Sequence, residues 1–96
     1  MKHHIINLIA VLALATTAWA EGKVAFNPAD TVATVITRQV GQRVEFRLKS
    51  GDKLTGKIEA VGEKAVHLSA LAGQEFFDAV VALEDISAVI IRTGGK

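Results

Sequence analysis

Beyond its first twenty residues the chain holds a single histidine, His67, and it has no cysteine anywhere. A metal site on His67 would have to recruit distant carboxylates, so a structural or surface role is the expectation for this residue. Without cysteine there is no disulfide framework, thiolate metal site, thiol nucleophile or lipid anchor on sulfur. No Ser/His/Asp arrangement, glycine-rich phosphate loop or paired-carboxylate spacing is present. The reading is therefore a protein that is not an enzyme and takes no cofactor. More chemistry is offered by Arg43, Arg47, Lys49, Lys53 and Lys57, whose spacing can place them along one surface as an anion-binding stripe. Glu45, Asp52 and Glu59 are interleaved with them, which favours a solvated, charge-balanced face over a nucleic-acid groove. No outward aromatic accompanies the cations to stack a base. Asp78 stands among Phe76, Phe77 and Val80. A carboxylate buried there would require an Arg, a backbone amide or a neighbouring subunit, and could serve as a pH-sensitive interface group.

The elements that would position these residues begin with a leader. Lys2 is the one charged residue among the first twenty, Ile5 to Ala15 is apolar except for Asn7, and Ala18-Trp19-Ala20 supplies the small residues of a cleavage site. Residues 1–20 read as a signal peptide cut between Ala20 and Glu21, and their run of about 16 largely apolar residues falls short of the roughly 20 that span a bilayer comfortably. The mature chain is then expected in the periplasm or outside the cell, with no transmembrane segment. It carries ten basic and ten acidic side chains, a balance that argues against a polyanion as default partner. Residues 21–27 read as a flexible lead-in, 28–92 as one domain and 93–96 as a frayed tail. Asn27 as N-cap, Pro28 in the first turn, Asp30 near the exposed amides and Gly41 as terminator predict a helix across that interval.

From Arg43 the period changes to two. Val44, Phe46 and Leu48 alternate with charged residues, and Ser50-Gly51-Asp52 reads as a tight turn. Leu54, Gly56, Ile58 and Ala60 continue the inward face, followed by Val66, Leu68 and Ala70 with His67 and Ser69 outward. Gly56 inside a strand implies a sharp bend or a second backbone passing close by. Glu75 to Leu83 and Ile86 to Arg92 are apolar on both faces and read as strands that need cover on both sides. A domain this small hides only about 60% of the surface its unfolded chain exposes, so the cover is expected to come from the helix or from another subunit. The fold class expected is mainly β: an N-terminal α-helix followed by a five-stranded, strongly bent antiparallel SH3-like barrel.

The segment Val44-Glu45-Phe46-Arg47-Leu48-Lys49-Ser50-Gly51-Asp52-Lys53-Leu54-Thr55-Gly56-Lys57-Ile58 resembles the first motif of the Sm and Sm-like proteins, with Gly51 at the turn and Gly56 at the bend. Ala79 to Ile91 is similar to the second motif, and the likeness covers residues 28–92. The resemblance implies an Sm-like barrel and a ring of six or seven copies, the fourth strand of one pairing with the fifth of the next. Phe76, Asp78, Val80, Ala88 and Ile90 would then lie at the oligomer interface. The family's RNA-binding residues do not carry over. Gly62, Val66 and Ala82-Leu83 stand where the Asp, Asn and Arg-Gly would be, and Ala82-Leu83-Glu84 replaces the Tyr-Lys-His of the bacterial RNA chaperones. A carboxylate at that position repels phosphate. The function expected is an exported, self-assembling binding or scaffolding module of the cell envelope, with an anionic envelope component as a possible ligand. The alternative is a nucleic-acid binder that uses the basic stripe.

Overall fold

The computed structural model describes residues 22–94. The leader and its cleavage site lie outside the described residues. Among the described residues there is one helix, α1 (Val32–Arg38), and five strands, β1 (Arg43–Leu48), β2 (Lys53–Val61), β3 (Ala65–Ser69), β4 (Ala79–Ala82) and β5 (Ile86–Ile90). A 3-10 turn, η1 (Leu83–Asp85), joins β4 to β5. All neighbouring strands are antiparallel, in the order β4-β3-β2-β1-β5. The sheet is open, with β4 and β5 at its two edges. Among the described residues no helix is long and apolar enough to cross a membrane.

The two-residue period of the sequence becomes two chemically distinct faces. Val44, Phe46, Ile58, Val66, Leu68, Val81 and Ile86 are buried and pack with Ile36 and Leu71 into one core, while the charged residues of β1 and β2 face outward. Phe46 lies at the centre, opposite Leu54 on one side and Val89 on the other. Helix α1 covers part of the inner face, packing on β5 and β2. A register shift between Ile58 and Ala60 leaves Ala60 exposed instead of inward. Gly51 takes φ of +100° in the β1–β2 turn, a conformation side chains with a Cβ rarely adopt. Gly56 is buried where β3 passes close: a Cβ there would stand 2.9 Å from the Ser69 carbonyl oxygen and 3.0 Å from Leu71 Cδ2. Of the two explanations the sequence allowed for this glycine, close approach of a second backbone is realised.

Two elements are shorter than the sequence predicts. The helix starts four residues later than Pro28, because Asn27 and Asp30 close a turn of their own. The Asp30 amide donates to the Asn27 carbonyl at 2.7 Å, the Asn27 amide to Asp30 Oδ2 at 2.8 Å, and the Ala29 amide to Asn27 Oδ1 at 3.0 Å. Thr31 is the N-cap in place of Asn27, in a reciprocal capping box with Thr34. The strand expected from Glu75 begins only at Ala79, since the Phe77 amide donates to the Gln74 carbonyl at 2.9 Å and holds residues 75–78 out of the ladder.

Asp30 links the start of the helix to its end. Its carboxylate accepts from Arg38 Nη2 at 2.7 Å and Nη1 at 3.1 Å, and from the Thr34 hydroxyl at 3.0 Å. The Arg38 hydrogen bonds, followed by that of the Asn27 amide, hold this carboxyl far below the usual carboxylate range. A depressed folded-state pKa stabilises the fold above the unfolded value, about 3.9, and that contribution is lost as pH falls toward the folded value. Asp30→Asn is therefore expected to melt below the native protein at pH 7, with the gap closing as pH drops below about 4. Thermal melts followed by circular dichroism check this, and a gap that stays constant down to about pH 2 would contradict it.

Candidate functional site

Four of the five expected cations come together on the outer face of the β1–β2 hairpin. Strand pairing sets Arg43 directly opposite Lys57 and Arg47 opposite Lys53, with Glu45 opposite Thr55 between them. Lys49 lies just beyond β1, its amide bonded to the Asp85 carbonyl at 2.8 Å. Like charges facing across strands are destabilising unless screened or compensated, and several of these are compensated. Arg47 Nε meets Glu45 Oε2 at 2.6 Å, Lys57 Nζ lies 3.9 Å from Glu59 Oε2, and Arg43 Nη1 donates to the Ala70 carbonyl at 2.8 Å. The stripe is thus a real surface, partly neutralised by its own carboxylates and open to water.

His67 and Asp78, treated separately in the sequence, meet each other. His67 Nε2 and Asp78 Oδ2 are 2.8 Å apart, and both side chains are exposed. Asp78 lies in the segment just before β4 and not inside an apolar strand, and its side chain is exposed instead of buried. Ser69 Oγ donates to Glu59 Oε2 at 2.5 Å on the same outer surface. Among the described residues no three His, Cys, Asp or Glu side chains gather to hold a metal ion.

The expected interface residues fall at the sheet edges. On the β4 side Phe76 is 98% exposed, Phe77 60% and Val80 75%. At the opposite edge Ile90 is 43% exposed and Ala88 half-buried. Beside β5 runs an apolar groove of about 450 Å³, lined by Val24 and Phe26 of the lead-in, Val32 and Val35 of α1, and Val89 and Ile91. The lead-in is tied in place by hydrogen bonds from the Gly22 amide to the Thr93 carbonyl at 3.0 Å and from Arg38 Nη2 to the Ala25 carbonyl at 3.1 Å. Sequence reasoning missed this groove. Its signal was Val24 and Phe26, two large apolar residues in alternate positions of a segment too short to show a period.

Comparison with family models, with curated proteins and with solved structures finds no match to this chain.

Proposed function

We propose that this protein is an exported, Sm-like small β module that assembles with copies of itself through its two sheet edges and serves as a binding or scaffolding component of the cell envelope. One observation carries the proposal: β4 and β5 terminate the open sheet, Val80 and Ile90 on them are exposed, and Phe76 and Phe77 stand exposed just before β4. Unpaired apolar edges are a liability that proteins ordinarily cover. These are also the two strands that the Sm resemblance would pair between subunits, giving a ring of six or seven copies with the sheet curved into a barrel. The leader read in residues 1–20 supports a destination in the periplasm or outside the cell.

The alternative use of the hairpin cations for nucleic acid has one point in its favour, the two cation pairs facing each other across β1 and β2. It is weakened by Glu45 and Glu59, which already engage Arg47 and Lys57, and by export away from cytoplasmic RNA. An anionic envelope polymer or headgroup is the better match to such a face once several copies repeat it around an assembly.

Size-exclusion chromatography with light scattering on protein purified from a host that processes the leader tests the proposal. A discrete oligomer is expected at tens of micromolar. A monomer throughout that range, with the same sheet content by circular dichroism, would refute it.

A further inference from the structure

One wall of the groove beside β5 is built from the residues that follow the leader directly. Val24 and Phe26 form it, and the helix and β5 supply the rest. The Gly22 amide donates to the Thr93 carbonyl at 3.0 Å, and each of these two residues is two positions from a residue that lines the groove, Val24 and Ile91 respectively. The Ala25 carbonyl is held in turn by Arg38 Nη2 at 3.1 Å. Residue 21 is thereby fixed beside the groove, and so is the point from which the leader sets out. Ala18-Trp19-Ala20 is the part of the leader nearest to that point.

We infer that, while the leader is attached, Trp19 turns back into this groove and covers it, and that cleavage between Ala20 and Glu21 uncovers the groove. The tether selects the occupant. Joined to the groove wall through a few residues, Trp19 meets it at an effective concentration on the order of millimolar, ahead of any free partner. A groove of about 450 Å³ has room for a large aromatic side chain, and burying one removes more apolar area from water than any other single residue can. The indole N–H needs an acceptor when it leaves water. Thr31 lines the groove, and its Oγ1 accepts one hydrogen bond, from the Thr34 amide at 3.2 Å, which leaves a lone pair for the indole. Asp30, the charged residue of the lining, is already engaged by Arg38 and asks for no cation from the occupant.

Trp19 is the one tryptophan of the sequence, which has no tyrosine, so the emission of the unaltered full chain reports on this contact alone. Translation in a system without membranes yields the chain with its leader. At concentrations where light scattering shows single copies, its emission is expected to lie to the blue of the same chain in urea and to resist quenching by iodide. Phe26 is 68% exposed, so Phe26→Ser is expected to keep the sheet signal in circular dichroism while returning both readings to those of a solvated indole. Val24→Ser, on the same wall, serves as the second variant if Phe26→Ser loses that signal. A solvated indole in the native monomer overturns the inference, and so does a blue shift that the groove variants leave unchanged. A blue shift that appears only as copies associate places Trp19 between molecules and overturns it as well. None of these readings depends on whether the processed protein assembles, so the docking of Trp19 and the edge-to-edge assembly proposed above stand or fall separately.

Discussion

Phe46→Ala is expected to remove about a third or more of the stability of this domain. Phe46 is fully buried and stands opposite both Leu54 of β2 and Val89 of β5, so truncation empties the centre of the sheet where three strands share one side chain. Losing a buried phenylalanine costs about 3–5 kcal/mol, the sum of lost transfer energy and an unfilled cavity. A domain of this size has a total stability of about 4–10 kcal/mol. The neighbours have little freedom to collapse into the space, because Ile36, Ile58 and Leu68 are themselves fully buried and each is anchored by its own backbone. Urea denaturation followed by circular dichroism measures the effect. A midpoint within experimental error of the native value would mean that Phe46 is not the centre of the core.

The second large effect is expected at Gly56, and there the cause is crowding instead of a void. Even the smallest side chain, in Gly56→Ala, meets the Ser69 carbonyl oxygen at 2.9 Å and Leu71 Cδ2 at 3.0 Å. Leu71 can rotate, but the carbonyl belongs to the backbone leaving β3 and moves only if the strand pairing moves with it. Overpacking of this kind costs about 1–3 kcal/mol, and Gly56→Val is expected to exceed Gly56→Ala. The same β2 register positions Lys53 and Lys57 opposite Arg47 and Arg43, so a shifted strand would also disperse the cationic face. Thermal melts of the two variants check the order. An alanine variant that loses less than about 0.5 kcal/mol would show that β3 yields easily at this point.

The contrast between Phe46 and Phe76 shows how far the sequence reached. Alternation from Val44 to Leu48 put Phe46 on the buried face correctly, because side-chain direction along a strand follows from backbone geometry within a few residues. Glycine and polar clusters marked the turns around Gly51 and Gly62 for the same local reason. Phe76 has equal hydrophobicity and sits in an equally apolar stretch, yet it is almost wholly exposed. Backbone hydrogen bonds from the Gln74 amide to the Leu71 carbonyl and from the Phe77 amide to the Gln74 carbonyl fold the segment before β4 into turns outside the sheet, and no periodicity announces them. The start of the helix was misplaced for a related reason. Asn27 and Asp30 are good capping residues that can equally well close a turn, and the Thr31–Thr34 pair provides the cap that is used.

The sequence by itself determined the β-rich class, a helix ahead of five strands, the inward and outward faces of β1 to β3 apart from Ala60, and the cations that would share one surface. Each of these depends on local stereochemistry and on a short repeat of apolar and polar residues. Only the tertiary structure decided that the sheet stays open with β4 and β5 at its margins, that His67 meets Asp78, that β3 crowds Gly56, and that Val24 and Phe26 help α1 and β5 enclose a groove. Those outcomes depend on which distant segments come to lie side by side, and contacts between residues far apart in the chain leave no repeat in the sequence from which to read them.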